Sequence, residues 1–143
     1  MTEKAAVTTI DTSMMDGAAL AFIGDAVYEI YVRKHVLAEA GSGHQSMALK
    51  VDALHHGTVQ FVNAEAQALA IKAMADDLTE EEQAVVRRAR NHKPHSVPKH
   101  ADVMDYKWAT AFEALVGYLY LTGETEEMEK VIRRAITVIE EQR

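Results

Sequence analysis

The sequence predicts an all-α fold of about six to seven helices, and three observations carry that prediction. Apolar residues recur at three- and four-residue intervals in successive segments, as they do in helices with one buried face. No segment shows the period-two alternation with hairpin turns that strands require. No internal repeat or low-complexity stretch is present, and both prolines, Pro94 and Pro98, fall in one connection. At 143 residues, 48% of them hydrophobic, the chain is expected to form one domain able to bury a core without staples. That domain is expected over residues 13–143, after a flexible N-terminus, residues 1–12.

Ser13, with Asp16 three residues on, resembles a capping box, so the first helix is expected to begin near Met14. Leu20, Ile23, Val27, Ile30 and Tyr31 then carry a helical repeat to about Ala40, where Gly41-Ser42-Gly43 ends it. A second helix is expected from about Ser46 to Phe61, with Met47, Val51, Leu54, Thr58 and Phe61 along one side. The adjacent His55 and His56 diverge on a helix and read as surface residues, not a metal pair. Asn63 can cap a third helix, Ala64 to about Ala75, carrying Ala66, Leu69, Ala70 and Ala73. Thr79 and Glu82 form a capping box for a fourth, with acids at its start and Arg87, Arg88 and Arg90 at its end, as the helix dipole favours. Residues 91–103 read as the longest loop. A fifth helix is expected from about Tyr106 to Leu121, and Thr125 can cap a sixth reaching about Glu141.

The net charge of −7 would ordinarily argue against a nucleic-acid partner. The distribution matters more than the sum. Asp76, Asp77, Glu80, Glu81 and Glu82 form one acidic cluster, whereas residues 83–100 hold Arg87, Arg88, Arg90, Lys93 and Lys99 with no acid, together with His92, His95 and His100. A solvated helix end followed by a polar loop accounts for the same pattern. The chain has no cysteine, which excludes disulfides and thiolate metal sites and fits a reducing compartment. No apolar run approaches the roughly 20 residues a spanning helix needs, and Met1 to Thr12 lack a signal-peptide core. A cytoplasmic protein is expected.

Two positions break local rules. Asp25 and Gly24 interrupt the apolar run Phe22-Ile23-Gly24-Asp25-Ala26-Val27-Tyr28, and Glu113 and Gly117 interrupt Phe112-Glu113-Ala114-Leu115-Val116-Gly117-Tyr118. Glycine inside a helix costs about 1 kcal/mol relative to alanine. A carboxylate among apolar neighbours must be paired, solvated or bound to a cation. We therefore expect two helices to cross at their glycines and bring Asp25 and Glu113 together. A helix kinked at Gly24, with Asp25 capping a new helix from Ala26, is the competing explanation.

These two segments resemble the signature helix and the second acidic motif of the ribonuclease III catalytic domain, in the family's order. The likeness runs from about Asp16 to the C-terminus. With Arg87-Arg88-Ala89-Arg90-Asn91 before the loop and no double-stranded-RNA-binding domain expected after it, the chain is similar to the Mini-ribonuclease III branch. The resemblance implies a single ribonuclease III-type endonuclease domain that hydrolyses phosphodiester bonds of double-stranded RNA with Mg²⁺. Asp25 and Glu113 would be the catalytic residues and metal ligands. Ala18, Ala21 and Thr110 stand where the wider family has further acids; the Thr110 hydroxyl could position a water, and Asp102 or Asp105 could supply a missing ligand. Arg87, Arg88, Arg90, Lys93 and Lys99 become candidate phosphate contacts across the shallow groove of an A-form duplex. Phe22 would sit at a homodimer interface, with core packing as its alternative. The resemblance also implies precursor 23S ribosomal RNA of the large subunit as substrate, with a large-subunit ribosomal protein as helper. An inactive RNA-binding assembly factor of the same fold is the competing reading.

Overall fold

The structure is a computed structural model and describes residues 10–41, 50–94 and 96–142. Among these residues it contains six α-helices and no strand. They are α1 (Gly17–Gly41), α2 (Val51–Val62), α3 (Ala64–Met74), α4 (Glu80–Asn91), α5 (Val103–Leu121) and α6 (Thr125–Glu141). The all-α fold is thus observed. The expected flexibility of residues 1–9, the part of the second helix before Lys50 and His95 lie outside the described residues.

Helix α5 is the centre of the domain. It buries Ala109, Ala111, Phe112, Ala114, Leu115, Val116, Gly117 and Leu119, because α1, α3, α4 and α6 all pack against it. A helix that is apolar on most sides belongs in the interior. Helix α6 closes one side with Met128, Val131, Ile132, Ala135, Ile136 and Ile139 inward, its charged residues facing out. The shared core also holds Leu20, Tyr28 and Val32 of α1 and Ala70, Ile71 and Met74 of α3.

The helix boundaries follow the caps. Asn63 Oδ1 accepts the Ala66 N–H at 2.8 Å, and Thr79 and Glu82 form both bonds of the expected capping box. The box expected from Ser13 does not form. Ser13 lies in a 3₁₀ turn, Thr12–Met14, where its N–H and hydroxyl both bind Asp11 Oδ1. Asp16 instead caps α1 by accepting the Ala19 N–H at 2.8 Å. Thr125 is the first residue of α6 rather than its cap. The reason is the tight exit from α5: Gly123 at φ 77° turns the chain, and Glu124 N–H returns to Leu119 O at 2.9 Å. Helix α5 starts three residues earlier than expected because Asp102 accepts the Asp105 N–H at 3.0 Å.

Helix α1 runs unbroken through Gly24, which removes the kink. The apolar repeat was not uniformly inward either. Ile30 is 67% exposed, and Leu69 and Ala73 of α3 are also exposed.

Candidate active site

Gly24 and Gly117 are the points at which α1 and α5 touch. A Cβ at Gly24 would overlap the backbone carbonyl of Glu113 and lie 2.7 Å from Gly117 N. A Cβ at Gly117 would overlap the carbonyl of Leu20. Neither position has room for a side chain, so the helices approach closely there and bring the residues beside the glycines together. The Asp25 carboxyl lies near enough to Glu113 to raise its pKa.

The two carboxyls differ in environment. Asp25 is exposed and Glu113 half-buried. Burial pushes the Glu113 carboxyl up to about 8; the neighbouring Asp25 carboxylate adds to the rise, and the nearby Gln67 amide opposes it. Among the described residues neither acid forms an ion pair. Paired carboxylate oxygens without a basic neighbour are a donor set suited to a hard divalent cation.

Phe112, which precedes Glu113, meets Tyr28 edge to face at 4.8 Å, and the Tyr28 hydroxyl donates to Phe61 O at 3.1 Å. Burial, and secondarily the Glu113 charge, raise the Tyr28 pKa, so the phenol stays neutral.

The remaining predicted residues fall in several places. Thr110 Oγ1 donates to Tyr106 O at 2.9 Å, which leaves its lone pairs as the available function. Thr110 and Ala18 both line a cavity of about 170 Å³, with Tyr106, Lys107, His92 and Ser96 also on its wall. These are two of the positions where the further acids are absent, and the third, Ala21, is buried. Asp102 caps α5. Asp105 precedes Glu113 by eight residues, about 12 Å of helix rise, so neither aspartate joins the pair.

Phe22 is 84% exposed, which overturns core packing as its explanation within one chain. Arg87, Arg88, Lys93 and Lys99 are exposed. Arg90 is not: its guanidinium lies 5.0 Å from the Trp108 ring centroid, and its Nε donates to Asn91 at 3.1 Å. The arginines also divide. Arg87 and Arg90 border a cavity beside Trp108, while Arg88 lies near enough to influence the Tyr118 phenol on another side.

Gln67 was missed by the sequence reading. It is 1% exposed, donates from Nε2 to Val62 O at 3.3 Å and reaches Glu113. A lone polar residue in Ala66-Gln67-Ala68-Leu69-Ala70 is the same kind of anomaly that marked Asp25. A separate trio gathers ten residues further along α1, about 15 Å from Asp25 by helix rise. His35 Nε2 is 2.6 Å from Glu39 Oε1 and 2.9 Å from Glu140 Oε2, and these ligand atoms all lie within 4.8 Å of one another.

Residues 18–124 match the Ribonuclease III domain family, a span that includes both glycines and both carboxyls. The chain belongs to the ribonuclease III family. Its relatives narrow the placement to the Mini-ribonuclease 3 group. It is 46% identical over 122 residues to the Mini-ribonuclease 3 of Thermoanaerobacter sp. (strain X514), covering 85% of this chain and 81% of the relative. It is 40% identical over 132 residues to that of Brevibacillus brevis, covering 92% and 93% of the two chains. The fold also matches a crystal structure of a Fusobacterium nucleatum protein, with TM-score 0.73, 35% identity and coverage of 87% and 93%. Membership in the ribonuclease III family places the chain among endoribonucleases and implies a divalent metal ion.

Proposed function

We propose that this ribonuclease III family member cleaves double-stranded RNA at the Asp25–Glu113 pair with Mg²⁺ as the cation. The observation that carries the reading is the Asp25 and Glu113 carboxyls brought together beside a glycine crossing within the matched domain. Hydrolysis joins a water oxygen to phosphorus and breaks the bond to the neighbouring 3′ oxygen, leaving a 5′ phosphate. Mg²⁺, when bound, neutralises phosphate charge and makes a coordinated water more acidic.

The chain's own residues prepare this chemistry. Burial holds the Glu113 carboxyl up to about 8, so a cation binding there displaces a proton from Glu113. Exposed Asp25 then faces the substrate while Glu113 anchors the site from the interior. The Thr110 hydroxyl oxygen, one turn before Glu113, can accept a hydrogen bond from water.

Substrate binding follows from the exposed cations Arg87, Arg88, Lys93 and Lys99, which suit the phosphates of an A-form duplex. With the chain carrying −7 overall, binding should be strongly salt-sensitive. Cutting both strands asks for two sites, and Phe22, Ile30 and Leu37 give α1 an exposed apolar stripe suited to a two-fold homodimer. Among the described residues no helix is long and apolar enough to cross a membrane, in keeping with action in the cytoplasm. Following the family resemblance, the assigned substrate is precursor 23S ribosomal RNA, presented with a large-subunit ribosomal protein.

The test is Mg²⁺-dependent cleavage of duplex RNA and of the structured ribosomal precursor. Binding without cleavage of either would favour the assembly-factor reading, for which the absent acids at Ala18, Ala21 and Thr110 argue.

A further inference from the structure

We propose that His35, Glu39 and Glu140 form a metal site separate from the Asp25–Glu113 pair, one that takes a zinc-class divalent ion and ties the end of α1 to the end of α6. The inference stands independently of the reading of Asp25 and Glu113.

The spacing on α1 supplies two ligands. His35 and Glu39 are four residues apart, so they share one helix face. Glu140 arrives from α6, 105 positions after His35 in the chain. The three ligand atoms lie within 4.8 Å of one another, and the imidazole packs edge to face on the buried Phe61 ring at 5.5 Å.

Two features of the trio call for a cation. A ring nitrogen carries at most one hydrogen, yet His35 Nε2 faces Glu39 Oε1 at 2.6 Å and Glu140 Oε2 at 2.9 Å. One N–H cannot point at both oxygens. An ion among the three takes the nitrogen lone pair and one oxygen from each carboxylate. The second feature is where the acids stand. Glu39 and Glu140 lie in the last turns of α1 and α6, at the negative ends of both helix dipoles, where a carboxylate is disfavoured and a cation favoured. Neither last turn carries a basic residue.

One imidazole nitrogen and two carboxylate oxygens suit Zn²⁺, whereas Mg²⁺ favours oxygen ligands alone. Zn²⁺ ligands sit about 2.0–2.2 Å from the ion, which places tetrahedral neighbours about 3.4 Å apart. Glu39 and Glu140 have solvent-accessible side chains that can swing out to that separation. Three protein ligands leave the fourth position to water. Because both helices must be in place for the ion to bind, it stabilises the folded chain.

The test is Zn²⁺ titration of the full chain by calorimetry, without RNA and with excess Mg²⁺ present, alongside thermal melts in Zn²⁺ or in EDTA. Parent, His35→Gln, Glu140→Gln and Glu113→Gln are compared, with folding checked by circular dichroism. His35→Gln keeps a hydrogen-bond donor and removes the imidazole; Glu140→Gln keeps the shape and removes the charge. Glu113→Gln reports any zinc taken by the carboxyl pair. We expect the parent to bind one Zn²⁺ per chain and to melt roughly 5 °C or more higher when free Zn²⁺ exceeds the dissociation constant about a hundredfold. Both trio variants should lose at least the roughly 10-fold in affinity that even an outer-shell partner contributes, with Glu113→Gln unchanged. No Zn²⁺ binding by the parent, or equal binding by either folded trio variant, overturns the proposal and leaves the trio an ion-pair clasp. A loss confined to Glu113→Gln moves the zinc to the carboxyl pair and overturns it as well.

Discussion

Gly24 lies so close to the carbonyl oxygen of Glu113 that a single methyl group cannot fit between them. The obstacle is backbone, which cannot rotate away as a side chain can. Gly24→Ala and Gly117→Ala should each destabilise the fold by about 3 kcal/mol or more, at or beyond the upper end of ordinary overpacking. Gly41, with open space around it, provides the control: Gly41→Ala should be neutral or stabilising by up to about 1 kcal/mol. Urea unfolding of the three variants checks the crossing, and a Gly24→Ala protein as stable as the parent would remove it.

Burial of the Glu113 carboxyl, with Asp25 beside it, gives the domain an unusual pH dependence. The folded Glu113 carboxyl releases its proton near 8 against an ordinary value of 4.5. Between those values the folded chain holds a proton that the unfolded chain has lost, so this group's contribution to stability falls as pH rises through the window. Glu113→Gln removes that contribution. Its melting temperature relative to the parent should therefore be higher at pH 8 than at pH 5, and saturating Mg²⁺ should narrow the difference at pH 8. A constant offset across the range would contradict the shift.

Much of this site was legible because its residues violate local preferences. Gly24, Asp25, Glu113 and Gly117 each sit where helix propensity or hydropathy disfavours them, and a tertiary cause was the economical explanation. The Thr79–Glu82 box was legible because both partners lie within one turn. Ser13 misled because Asp11, two residues earlier, took its hydroxyl and N–H. Gln67 escaped because a count of apolar positions passes over a single polar residue, and its burial beside Glu113 depends on a packing distant in sequence. Arg90 was assigned from charge alone, and only the fold reveals the Trp108 ring beneath it.

Arg90 should consequently behave differently from its neighbours. Arg87→Ala and Arg88→Ala should weaken duplex RNA binding and each lower the slope of log affinity against log salt by about 1, with little change in melting temperature. Arg90→Ala loses packing on Trp108 and should lower thermal stability. Filter binding across a salt series, paired with thermal melts, separates the two effects; identical behaviour of all three arginines would not fit.

Phe22 makes the opposite case. Its ring is mostly exposed in the single chain, so Phe22→Ala should leave the fold of a subunit intact while shifting sedimentation from dimer toward monomer. Truncating a well-buried interface aromatic costs on the order of 2 kcal/mol or more, enough to move the dissociation constant at least about 30-fold. An unchanged mass in that variant would place the dimer interface elsewhere.

The central claim is that the carboxyl pair at the glycine crossing cleaves RNA, and gel-resolved cleavage of duplex RNA at low salt with Mg²⁺ tests it most directly. The parent should cut. Asp25→Asn and Glu113→Gln, folded and still binding the duplex, should show rates reduced by at least about 100-fold. Cleavage that persists in both variants would contradict the assignment of the site.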